Sequence, residues 1–134
     1  MSMRLIGLAL LLAASSAAAA NRPGLTIRPG ESWVFSIEGG QPVHTRKVLG
    51  NTKPSPGQVL VTVKSMMGTT MTITSNNRRA YTYKAELIGA AKAVPTRSCT
   101  LPANNRLSFE NWPQKAVAVR LSDFKATSKD GACP

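Results

Sequence analysis

Acid–base and nucleophilic chemistry needs titratable side chains set beside one another, and this chain has few. It carries one histidine, His44, and six carboxylates: Glu31, Glu38, Glu86, Glu110, Asp123 and Asp130. A Ser-His-Asp relay would have to run through His44, between Pro42 and Arg46, and no motif places a Ser or Asp near it. An edge-strand or surface imidazole is the simpler reading. Glu31, Glu38, Glu86 and Glu110 are expected at strand ends or on solvent faces, with Asp123 and Asp130 in a polar tail. No pair is thereby set across one cleft, as glycoside hydrolysis requires. A Gly-rich phosphate loop, a Gly-x-Ser-x-Gly elbow, His-Glu-x-x-His and Cys-x-x-Cys are all absent. The sequence therefore predicts no catalytic residue, no cofactor and no metal site.

Cys99 and Cys133 are the only cysteines. One His and two distant Cys cannot complete a tetrahedral zinc site, whereas an even pair in an exported chain is most simply a disulfide. Such a bridge would tie down the polar tail Ser122–Pro134, whose one large apolar residue is Phe124. In the chain-entropy account, a closed loop of about 35 residues adds at most roughly 3–4 kcal/mol.

Two features point to binding. Trp112, in Phe109-Glu110-Asn111-Trp112-Pro113, is either an exposed ring for stacking on a sugar or peptide or, more commonly for such a Trp, a lid on the end of the core. Arg78 and Arg79 follow the turn signal Asn76-Asn77, so a hairpin tip would project them; Arg46-Lys47 is a second basic pair. The remaining cations are scattered, as on an ordinary solvated surface.

These residues must be positioned by elements that the sequence announces clearly. Gln58–Lys64, Thr69–Ser75 and Arg79–Ile88 alternate with period two: Val59, Val61 and Val63, then Met71 and Ile73, then Tyr81, Tyr83, Ala85 and Leu87 take one face. Thr62, Lys64, Thr70, Thr72, Thr74, Thr82, Lys84 and Glu86 take the other. Met67-Gly68 and Asn76-Asn77 supply turns that tolerate positive φ, so the three strands read as a β-meander. Upstream, Leu25–Ile27 and Glu31–Glu38 are short strands, the second directing Trp33, Phe35 and Ile37 inward. Val43–Leu49 reads as an exposed edge. Gly50–Gly57 is a loop, and Gly89–Asn105 is a long connection carrying Cys99 that could cross between sheets, or in which Ala90–Val94 could instead form a helical turn. Leu107 and Phe109, then Val117, Val119 and Leu121, mark two further strands.

Seven or eight short strands favour an all-β, single-domain antiparallel β-sandwich, immunoglobulin-like in strand count and spacing, with a small β-barrel as the alternative. Met1–Ala20 has one cation, Arg4, an apolar run from Leu5 to Ala14 and a closing Ala18-Ala19-Ala20. It reads as a cleaved secretory signal peptide, and no later apolar stretch is long enough to span a bilayer. Its removal from the 134 residues leaves 114, Asn21–Pro134, and lowers the net charge from +11 to +10. The expectation is a periplasmic or extracellular module, non-catalytic, acting on a protein or an anionic surface. An envelope polyanion or an acidic protein fits that compartment better than nucleic acid. The alternative is a small hydrolase, or an inhibitor of one, with its site in the loops around His44 and Trp112.

Overall fold

The computed structural model describes residues 22–89 and 92–133; the leader expected over Met1–Ala20 lies outside them. Nine strands form among the described residues, and no helix. They are β1 (Leu25–Ile27), β2 (Ser32–Glu38), β3 (Gln41–Val48), β4 (Gln58–Lys64), β5 (Thr69–Ser75), β6 (Ala80–Ile88), β7 (Ala93–Pro95), β8 (Leu107–Trp112) and β9 (Ala118–Thr127). One sheet has the order β1-β9-β6-β7, the other β3-β2-β4-β5-β8, and all pairings are antiparallel. The two sheets pack face to face without closing, so the fold is a β-sandwich rather than a barrel.

The period-two faces meet in the core. Phe35, Val59, Val61, Val63, Met71 and Ile73 come from the larger sheet, and Leu25, Ile27, Ala85, Leu87, Val119 and Leu121 from the smaller; all are buried. Phe124 links the two layers. Its ring stacks on Tyr83 at 5.5 Å and tilts against Phe35 at 5.6 Å. The expected polar tail is therefore shorter than the sequence implied, because β9 continues to Thr127 and buries Phe124. A disulfide joins Cys99 to Cys133, and Thr100 donates its N–H to the Ala132 carbonyl beside it.

Several expectations are corrected. The meander does not form: β4 and β5 pair as a hairpin, but β6 lies in the other sheet. Asn76 is held back by its own strand pair, its N–H donating to the Gln58 carbonyl and its carbonyl accepting from Gly57. The chain then arches across the sandwich at Asn77–Arg79, and neither Asn76 nor Asn77 takes positive φ; Asn104 and Asn105 do. The Gly89–Asn105 connection contains β7, which pairs with Leu87 and its neighbours, where a helical turn had been an option. Residues 90 and 91 fall outside the described residues. Glu86 does not face solvent. It opposes Arg120 and Pro95 on the outer face of the small sheet, where the Pro23 carbonyl also accepts from Arg120, and it is buried there.

The parity of β8 is reversed as well. Ser108 and Trp112 point inward and are buried, while Leu107 and Phe109 stand on the outer face of the large sheet, exposed. Val34 is buried on that same outer face. The 49–57 segment starts at the end of β3 and reaches the start of β4 by crossing β2. Gly50 lies against Ser32, and the Pro54 carbonyl accepts from Asn76 Nδ2.

Strand direction sorts the connections to two ends. The 28–31 turn, Leu49-Gly50, the 65–68 hairpin tip, Gly89 with Lys92, and the 113–117 loop lie at one end, here the upper. The turns at 39–40, 55–57, 76–79, 103–106 and 128–131 lie at the lower.

Candidate functional site

Every acidic side chain in the protein is engaged. Glu31 binds the Lys47 ammonium at 3.0 Å, the Arg28 N–H at 2.9 Å and the Trp33 indole N–H at 3.3 Å. The Arg28 N–H is the main reason its pKa falls to about 2, with the Lys47 bond next. Glu86 accepts from Arg120 Nη2 at 2.7 Å, and that bond, outweighing desolvation, holds its carboxyl below the usual range. Glu110 turns into the sandwich and accepts the Cys99 N–H at 2.7 Å; burial raises its pKa, and the N–H offsets part of that rise. Asp130 pairs with Arg106 and accepts from Ala103 N–H, and Asp123 accepts from Gln41 Nε2. Glu38 lies 3.5 Å from His44 Nε2.

The cations are differently placed. Of the 16 Lys and Arg side chains among the described residues, only Lys47, Lys84, Arg106 and Arg120 reach a carboxylate within 4 Å. The other twelve have no carboxylate within 4 Å among the described residues, although the charge of Arg22 still helps to lower the Glu86 pKa.

Arg78 and Arg79 are exposed at the lower end, on the arch between the sheets instead of a hairpin tip. Arg79 borders a shallow surface hollow of about 320 Å³ with Ala126, Thr127 and Ser128. Ala80 opposes Thr127, so Lys129 lies close to this hollow, and the cations of the C-terminal tail belong to the same region as Arg78 and Arg79. Trp112 is 7% exposed and part of the core cluster, so its own ring is buried in the core and is not an exposed stacking surface. His44 sits at positive φ on edge strand β3, and Trp112 on β8, the opposite edge of the same sheet. The structure does not bring them together. None of the four principal cavities is lined by His44 or a carboxylate. Among the described residues, no three His, Cys, Asp or Glu side chains gather as a metal site would need.

A further polar group lies inside the sandwich. Among the described residues the Tyr83 hydroxyl and Ser98 Oγ are buried without a well-formed hydrogen bond; burial first, then the charge of Glu110, raises the Tyr83 pKa, and the nearby Ser98 hydroxyl offsets part of that rise. Sequence reading missed it because it assigned Glu110 to solvent and Ser98 to a featureless loop.

The chain matches no family model, no curated protein and no solved structure.

Proposed function

We propose that this protein is a non-catalytic binding module of the cell envelope or secreted fraction whose partner is an anionic surface. The observation that carries this reading is the asymmetry of charge use. All six carboxylates are spent on contacts within the fold, while twelve cations have no acidic partner among the described residues. A folded surface of this kind presents a positive potential to its surroundings and draws polyanions by long-range steering.

Retention of the protein on an immobilised acidic polysaccharide tests this. Binding at about 0.1 M salt and release toward 1 M are expected, because the Debye length falls from about 10 Å to about 3 Å over that range. Passage through the column at 0.1 M, together with failure to bind anionic vesicles, would refute the reading. Location is tested by comparing Arg78→Ser with Arg79→Ser at the lower end against Lys64→Ser with Lys92→Ser at the upper. A loss confined to the first pair assigns the contact to the arch, and equal small losses assign it to the surface as a whole.

A further inference from the structure

The upper end of the sandwich combines exposed apolar side chains with cations, although the segments that supply them are far apart in sequence. Leu49 is 77% exposed, Met66 60%, Met67 98% and Val117 56%. A soluble surface tolerates one such side chain anywhere, but their concentration on neighbouring loop tips marks an interaction surface. Met67 is held out at φ 49, a conformation that side chains other than Gly rarely adopt, at the head of the β4–β5 hairpin.

The loops adjoin one another. A groove of about 310 Å³ has Gly50, Met66 and Phe109 among its walls, which joins the β3–β4 segment to the hairpin tip and the edge strand. Gly68 packs so closely on the Trp112 carbonyl that a Cβ there would overlap it, so the tip also abuts the 113–117 loop. Val117 N–H donates to the Ile88 carbonyl, and the Gly30 N–H to the Val63 carbonyl, which bring in the upper end of β6 and the 28–31 turn.

Besides Lys47, which is paired with Glu31, the cations of this end are Arg28, Lys64, Lys92 and Lys115, all exposed and none within 4 Å of a carboxylate among the described residues. Its one acid, Glu31, is already taken by Lys47 and the Arg28 N–H. Lys92 and Lys115 also rim an apolar hollow of about 320 Å³ lined by Leu87, Val94 and Ala116. Apolar tips ringed by unopposed cations are complementary to one kind of partner, an interface that is hydrocarbon a few ångströms below a layer of negative headgroups. We infer that the upper end docks on an anionic lipid bilayer, with Leu49, Met66 and Met67 entering the interface and the four cations against the headgroups. This rests on the anion-binding reading and adds to it the partner and the site.

Sedimentation with vesicles tests it, comparing phosphatidylglycerol mixed with phosphatidylcholine against phosphatidylcholine alone at about 0.1 M salt, beside retention on the acidic polysaccharide. Binding to the anionic vesicles is expected. Leu49→Ser with Met66→Ser and Met67→Ser should weaken it by roughly tenfold or more while leaving polysaccharide retention unchanged. Lys64→Ser with Lys115→Ser should weaken it by roughly tenfold or more. Arg78→Ser with Arg79→Ser, on the far end, should change it less than about threefold. In Met66→Trp, the new indole should shift its emission to the blue on vesicle addition. Polysaccharide retention without vesicle binding overturns the lipid inference alone; loss of both overturns the anion reading with it. Unchanged vesicle binding by the triple Ser variant, or an unshifted indole on bound protein, also overturns the inference.

Discussion

Glu110 illustrates how a single residue can be misplaced by pattern and placed by its partner. An acidic side chain on an edge strand belongs in water unless a donor inside the fold accepts the charge, and the Cys99 N–H is that donor. An inward charge on an edge strand also discourages pairing with a foreign strand. Because burial raises its pKa in the folded state, the ionised form costs stability, and the sign is fixed. The cost is fully present above the folded pKa and vanishes as pH falls below the unfolded value near 4.5. Glu110→Gln retains an oxygen for the Cys99 N–H and removes the charge. It should stabilise the protein at pH 7 and leave its stability unchanged near pH 3.5, read by urea unfolding at both pH values. A loss of stability at pH 7 would show that the charge strengthens the Cys99 bond by more than its burial costs. Glu31 and Glu86 run the other way. Their lowered pKa values contribute stability above pH 4.5 that disappears as acid protonates them.

Among the elements, β4 and β5 were legible in position and in their core face, because Val59, Val61, Val63, Met71 and Ile73 share one parity; the outer face was less plain, since it carries Leu60 and buries Thr70. β8 was legible as a strand but not in its orientation. Its residues alternate Leu107 and Phe109 with Ser108, Glu110 and Trp112, and apolar groups lie on both parities. The larger Trp112 takes the core, and the pairing of Ile73 with Ser108 fixes the rest. The meander failed for a related reason: a turn signal such as Asn76-Asn77 reports that the chain reverses, not whether it returns to the same sheet. This register makes a paired prediction. Ile73→Ala, which empties a fully buried site, should cost about 2–4 kcal/mol. Phe109→Thr, on the exposed outer face, should cost less than about 1 kcal/mol. Comparable losses in equilibrium unfolding would mean that β8 faces the core with its odd-numbered residues after all.

At the scale of the whole molecule, the arrangement least visible in the sequence is the gathering of loops, since Arg28, Leu49, Met66, Lys92 and Lys115 become neighbours only once strand order is known. Charge, by contrast, was legible from composition, but its consequence depended on where the carboxylates went. Residues 22–133 carry 16 basic and six acidic side chains, and the best ion pair, Glu86 with Arg120, is buried and so little affected by salt. The exposed pair of Lys47 with Glu31 loses strength on screening, yet exposed pairs contribute only about 0–1 kcal/mol. Repulsion among the twelve unpartnered cations acts over longer distances, favours the expanded chain and is largely screened beyond about 8 Å at physiological ionic strength. The balance therefore predicts that added sodium chloride stabilises the fold. Between about 10 and 150 mM the thermal midpoint should rise by about 2–5 °C. A soluble polyanion at low salt should raise it too, by binding the folded surface. A midpoint that falls with salt would mean that the few attractive pairs outweigh the repulsion, and the excess positive charge could no longer be treated as the surface's dominant property.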